Sequence, residues 1–513
     1  MHTSLAVLWF KRDLRLYDHA AVTAASAHPR VLPVLVIEPE YWRQSDRSPR
    51  HYALWRQAAE DLLQSLRAMQ RPGWVRHAPI LQALDELRRQ FGAFTLYSHQ
   101  ETDSQWTYSR DRSVSQWCRN QGMTWTQPRQ FGVVRGMRRR QGWARQWEAL
   151  MTEQPLAQPT WQGQPPPPGD PLPRLQDIDF CAQDELPTTQ QDSRRAASLQ
   201  RLEQFLHQDG HSYRGGMSSP ISAQRASSRL SLALSVGSLS LREIVHRSRE
   251  RLQNLDPDDP AQRRWRASLR SFDKRLHWHC HFIQKLETAP HLEQRNMHSA
   301  YDALAPEPVT QDALNRWVQG QTGWPFVDAC MRSLRHSGWI NFRMRAMLVS
   351  VASYHLGIHW RESGVLLARI FCDYEAGIHW PQVQMQSGTT GINTYRMYNP
   401  IKQGLDQDPE ASFIAQWVPE LASLPPALRH QPWKAGHPPA GYPSRIGDHS
   451  LLARAARQRR AGLRSGAAFA QEARALQAQL GSQASGMSRS MRGQRRQPPK
   501  PSAASRQLSL FPE

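Results

Sequence analysis

The sequence predicts an α/β domain followed by an all-α domain, on three observations. Within the first 130 residues, short apolar runs alternate with helical patterns. A proline-rich stretch comes next. From about residue 195 to 375 the apolar spacing is almost wholly helical. The chain has 513 residues, 39% of them hydrophobic, enough for cores in two or three domains.

Residues 5–10 and 31–37 are short apolar runs suited to buried parallel strands, and 94–99 is a third. Helical patterns cover 51–69, 80–90 and 106–120. Strands and helices in that order imply a doubly wound α/β domain over 1–135. No GxGxxG follows the first strand, so a standard dinucleotide fold is not supported. The run Gln164-Pro165-Pro166-Pro167-Pro168-Gly169-Asp170-Pro171 reads as extended, and 136–194 is assigned to a linker. Helices at 196–208, 241–255, 263–288 and 324–357 fill the second domain, 195–445. Residues 446–513 read as a basic tail expected to be disordered, its first part, 451–480, able to form a basic helix.

The chain carries 65 Lys and Arg against 44 Asp and Glu, a net charge of +21. That excess points to a polyanion, nucleic acid above all. Residues 451–513 alone hold 12 basic and 2 acidic side chains. No run of about 18 apolar residues suits a membrane helix, and the first residues lack a signal-peptide pattern. The five cysteines form no CxxC pair, so a disulfide framework is not indicated. A cytoplasmic monomer with no membrane contact is expected.

The motifs narrow the chemistry. Val7-Leu8-Trp9-Phe10-Lys11-Arg12-Asp13-Leu14-Arg15-Leu16 is a strand running into a charged turn. Tyr213 precedes Ser227-Ser228-Arg229-Leu230-Ser231, where a helix N-terminus can offer amides and hydroxyls to a phosphate; a plain serine-capped helix reads the same way. Thr322-Gly323-Trp324-Pro325-Phe326-Val327-Asp328-Ala329-Cys330-Met331-Arg332 leads to Gly338-Trp339-Ile340-Asn341-Phe342-Arg343-Met344-Arg345, then to Asp373-Tyr374-Glu375, Asn399-Pro400 and Phe413-Ile414-Ala415-Gln416-Trp417-Val418-Pro419-Glu420-Leu421.

As an ordered set these segments resemble the DNA photolyase/cryptochrome family, to about residue 445. The resemblance implies an antenna domain, a linker and a helical FAD-binding domain. It assigns FAD contacts to Tyr213, Ser227, Ser228, Arg229, Leu230, Ser231, Arg345, Asp373, Tyr374, Glu375 and His379, with Arg345 and Asp373 paired beside the isoalloxazine ring. It assigns substrate contacts to Trp278, His279, Phe342, Arg343 and Met385, Trp278 supplying an aromatic wall for a base. Light-excited reduced FAD would pass an electron to a pyrimidine lesion flipped out of UV-damaged DNA. A second, antenna chromophore is compatible with the resemblance, its identity open; Glu101 falls where some relatives touch one.

Several positions depart from the family pattern. Arg275 stands where its dimer-repair enzymes carry Glu; a guanidinium donates hydrogen bonds but supplies no proton. Phe342 replaces a flavin-contacting Asn, Asn341 a His and Glu375 an Asp, and His379 falls where Asn is frequent. Trp360 and Trp317 match the middle and terminal members of an electron-transfer chain. The flavin-proximal member aligns near Val383, with Trp380 close by as a substitute. His277 and His281, four apart, share a face as zinc ligands can, but no second pair exists, so they are read as cavity-lining and no metal is expected.

The terminal Gln507-Leu508-Ser509-Leu510-Phe511 looks like the pentapeptide that binds the bacterial sliding clamp. Leu510 and Phe511 would fill an apolar pocket, with Gln507 at its rim, on a flexible tether. The leading expectation is a light-driven photolyase acting on UV-induced pyrimidine lesions, either cyclobutane dimers or (6-4) products. The alternative is a cryptochrome-type flavin photoreceptor without repair activity.

Overall fold

The computed structural model describes residues 5–137, 140–161, 169–182, 184, 186–188, 191–304, 311–436 and 440–481. Five parallel strands open the chain: β1 (Leu5–Phe10), β2 (Arg30–Ile37), β3 (Trp74–His77), β4 (Thr95–Tyr97) and β5 (Trp125–Thr126), in the order β3-β2-β1-β4-β5. Alternate residues of β1 serve two cores. Ala6, Leu8 and Phe10 join one apolar cluster, and Leu5, Val7 and Trp9 the other. Burial on both faces is why this strand reads as a continuous apolar run. Sequence reading omits β3 and β5, the two edge strands, because they are short and carry polar residues.

The helical half is built around two further apolar clusters. The pattern over 324–357 resolves into two helices, Pro325–Ser337 and Phe342–Ser350, and a single wide turn, Val351–His355. Gly338 makes the break. It has a φ of 70°, and a Cβ there would lie 2.1 Å from Cys372 Sγ.

Two assignments change. The expected linker, 136–194, contains the helix Trp143–Thr152, whose Trp143, Trp147 and Met151 are buried in a core with Leu269, Phe272 and Leu276. Buried apolar area, not chain connection, explains those residues. The basic tail from 446, read as able to form one helix over 451–480, holds two helices, His449–Ala461 and Ala467–Leu480, and they dock on the domain. Leu476 and Leu480 enter the main core. Phe469 stacks on His298 at 4.1 Å, and Glu472 accepts from the Ser299 amide and hydroxyl at 2.8 and 2.5 Å. The alanine-rich composition hides this docking, since a few anchors carry it. Gln507, Leu508, Leu510 and Phe511 lie outside the described residues. No described helix is long and apolar enough to cross a membrane.

Candidate functional site

A cavity of about 380 Å³ lies within the helical half. Its walls come from five stretches of the sequence: residues 213–218, the turn 227–231, the helix Arg263–Thr288, the segment 339–349 and the segment 371–386. On the long helix, Arg275, Trp278, His279 and Phe282 present one face, as the three- and four-residue spacing dictates.

At the cavity wall, Arg345 donates from Nη1 and Nη2 to the two carboxylate oxygens of Asp373, at 3.0 and 2.9 Å. Its Nε donates to the Ile340 carbonyl at 2.7 Å, and its guanidinium lies 4.2 Å from the centre of the Phe371 ring. Burial works to raise the Asp373 pKa, but Arg345 overcomes it and holds the carboxyl below its ordinary value. Glu375, two residues on, accepts from Arg12 at 3.1 Å. Burial raises its pKa despite Arg12, with Asp103 adding to the rise.

Four arginines line the cavity (229, 275, 343 and 345) against two carboxylates, both already bonded to guanidinium groups. The positive excess suits an anionic ligand. Arg229 has a φ of 57°, a left-handed conformation held while its guanidinium sits 3.9 Å from the centre of the Trp339 ring. Burial lowers the Tyr213 side chain's acidity, and a hydrogen bond with Arg275 partly offsets that.

A flavin nucleotide fits these residues. The cavity joins apolar walls (Phe282, Ile340, Val349 and Phe371) to serine hydroxyls at 227, 228 and 231 and to the arginines. Three lining side chains, Asn341, Gln382 and Gln386, each carry a buried amide oxygen without a hydrogen-bond partner among the described residues. Such acceptors are tolerated where a ligand donates to them.

Of the sequence-predicted residues, the structure brings Tyr213, Ser227, Ser228, Arg229, Leu230, Ser231, Arg275, Trp278, His279, Phe342, Arg343, Arg345, Asp373, Tyr374, Glu375 and His379 to this one cavity. Met385 is the exception. It sits half-buried on the helix Ala376–Ser387 and is not among the lining residues, because its neighbours Gln382 and Gln386 take the cavity face. Trp380, Trp360 and Trp317 lie behind the wall. Trp380 is 4.9 Å from His379 and 6.0 Å from Trp360 by ring centres, and Trp317 is fully buried in the same apolar core. Val383 lines the cavity.

Sequence reading missed Trp339, Gln382 and Gln386; the spacing of His379, Val383 and Gln386 on one helix was the available signal. It also missed how Arg12 serves the site from the other domain. Glu101 is likewise occupied, accepting from Arg12 Nε at 3.2 Å and from Arg110 Nη2 at 2.5 Å. Among the described residues the one group with metal-ligand types is Asp13, His19 and His99, not 277–281. Its atoms are already engaged. His99 Nδ1 is 2.8 Å from Asp13, His19 Nε2 is 3.1 Å from the same carboxylate, and His19 Nδ1 accepts from the Val22 amide.

The chain is similar to known proteins over most of its length. The family profile described as DNA photolyase matches residues 6–134, and that of the FAD binding domain of DNA photolyase matches 272–461. The deoxyribodipyrimidine photo-lyase of Vibrio cholerae is 28% identical over 484 residues, covering 87% of this chain and 97% of that protein. Cryptochrome DASH of Gloeobacter violaceus is 26% identical over 457 residues, covering 85% and 89%. The crystal structure of a bacterial class III photolyase from Agrobacterium tumefaciens superposes with a TM-score of 0.76 at 23% identity, over 90% of this chain and 98% of that one. This last comparison speaks to the fold.

Burial holds His279 and His379 neutral, each with its pKa lowered to about 4, and His379 Nε2 donates to the Gly364 carbonyl at 2.8 Å. An unfolded imidazole titrates near ~6.5. Between the two values the unfolded chain binds protons that the folded chain does not, so stability falls as pH drops through that window, by about 1.4 kcal/mol per pH unit for each histidine. Replacing His379 with Gln, which can still donate to Gly364, is expected to remove one histidine's share of that slope in urea titrations. An unchanged slope would show that His379 is not buried neutral.

Proposed function

We propose, since the chain belongs to the DNA photolyase/cryptochrome family, that it is a light-driven enzyme splitting UV-induced pyrimidine lesions in DNA. The match of residues 272–461 to the FAD-binding-domain profile supports FAD as the cofactor. FAD, when bound reduced and excited by light, supplies the electron for the chemistry. The protein's share is to bind, orient and desolvate.

One observation carries repair over signalling: a single cavity presents a half-buried aromatic wall and arginines together, with a 37%-exposed Phe342. An extruded nucleotide needs an aromatic face to stack on and cations for its flanking phosphates. In this reading Trp278 supplies the stacking face, held edge-on to His281 at 4.6 Å. Arg275 donates to lesion carbonyls and balances negative charge without giving up a proton. Neutral His279 hydrogen-bonds without adding charge. Arg345 and Asp373 hold each other at the cavity wall, where they would flank a bound flavin, and the serines of 227–231 would take its phosphates. Arg275 in place of a carboxyl favours a second reading, a photoreceptor without repair.

Reduced protein illuminated with oligonucleotides bearing a cyclobutane dimer or a (6-4) product is expected to restore one of them in light and neither in the dark. Trp278→Ala is expected to slow that restoration by about tenfold, the worth of one lost stacking face. Failure to restore either lesion transfers the reading to the photoreceptor.

Trp380, Trp360 and Trp317 form the proposed route by which an electron reaches the site from outside. Trp360→Phe, which keeps the packing but raises the energy of a hole on that ring, is expected to slow photoreduction of the bound flavin at least about tenfold. Photoreduction at full rate would remove Trp360 from the route.

The terminal Gln507, Leu508, Leu510 and Phe511 are proposed to bind the bacterial sliding clamp, bringing a monomeric enzyme to replicating DNA by effective concentration. Deleting the last seven residues is expected to abolish capture by immobilised clamp while light-dependent restoration of the oligonucleotide persists. Capture that survives the deletion rules the peptide out.

A further inference from the structure

A second cleft, of about 60 Å³, is walled by Trp360 on one side and by the C-terminal helix His449–Ala461 on another. Its lining includes Ser353, His359, Thr389, Arg459 and Arg460, and among the described residues no Asp or Glu. Arg460 is 7% exposed. Its guanidinium lies 4.3 Å from the centre of the Tyr354 ring, and its Nη2 reaches the Ser387 carbonyl only at 3.5 Å, the outer limit of a hydrogen bond. Arg460 Nε and the Ser353 hydroxyl are both buried without a hydrogen-bond partner among the described residues.

A buried guanidinium with no carboxylate beside it is costly, and an unsatisfied donor adds to the cost. A polar cleft with two orphaned groups and a cation is completed by an anion that accepts from both. One water requires roughly 10–15 Å³ of such volume, so the cleft has room for an ion of about four heavy atoms. We propose that this cleft binds a small oxyanion, a carboxylate or an inorganic ion, between Arg460 and Ser353. Arg460 stands on the C-terminal helix and Ser353 on the turn Val351–His355 beneath it. The ion therefore bridges the helix to the body of the domain and stands against the Trp360 side chain.

Calorimetric titration of the full chain with formate or with phosphate, at constant ionic strength, tests this. Saturable one-to-one uptake of either ion is expected, formate alone indicating a carboxylate site and phosphate an inorganic one. Arg460→Gln is expected to weaken uptake by tenfold or more, with partial recovery in Arg460→Lys. If Arg460→Gln frees the helix, seen as new protease cleavage within 449–480, Ser353→Ala decides. That hydroxyl has no hydrogen-bond partner among the described residues, so its loss leaves the docking intact and is expected to weaken binding about threefold to tenfold. Heat that does not saturate, or equal affinity in Ser353→Ala and the unaltered chain, means the cleft holds only water and overturns the proposal.

Discussion

Three consecutive side chains, Asp373, Tyr374 and Glu375, tie the cavity to the rest of the molecule. Asp373 takes the cavity arginine, Arg345. The Tyr374 hydroxyl donates to Asp46 at 2.5 Å, and its ring stacks on His51 at 5.6 Å. Glu375 takes Arg12, which also reaches Glu101 and Asp103. Two of the three therefore bond to the α/β domain, and the third pairs with Arg345 at the cavity wall. Burying so many charges costs several kcal/mol per ion unless each is closely bonded, so the network constrains the geometry of both domains. Asp103 is further held by Arg47 at 2.5 Å and Tyr41 at 3.3 Å. A shift at this junction would leave charges unpaired, which makes the cavity wall stiff.

The site's chemistry follows from that stiffness. Net positive charge, an aromatic face and neutral histidines gather in one place where water is partly excluded. There, hydrogen bonds from arginine are worth more than at the surface. The apolar core behind the wall packs Trp380 edge-on against both His379 and Trp360. The C-terminal helices close over the same core, so that Trp360 packs on Trp380 and also lines the outer cleft.

Legibility in the sequence was uneven for physical reasons. β1 and the long helix Arg263–Thr288 could be read because their apolar residues recur at the period of the element they form. The helix Trp143–Thr152 was hidden beside a proline-rich stretch, although both its tryptophans are buried. The helix over 451–480 was legible, but its break at 462–466 and its docking were hidden by alanine and arginine, since Phe469, Leu476 and Leu480 are few among them. The cavity residues were legible as motifs, each short and local. Met385 misled because residues one position apart on a helix point in different directions.

The order of segments from Val7 to Leu421 by itself determined the family, the two-part architecture and the flavin, because local patterns and motifs are properties of short stretches. The sequence likewise determined the charge balance, which composition alone sets. Only the tertiary structure decided that Arg12 serves Glu375 across 363 residues, that Glu101 is spent on arginines, and that Trp380 meets Trp360. It alone brought Arg460 over the turn that carries Ser353. No local period of the sequence predicts those pairings; packing, not spacing, chooses the partner.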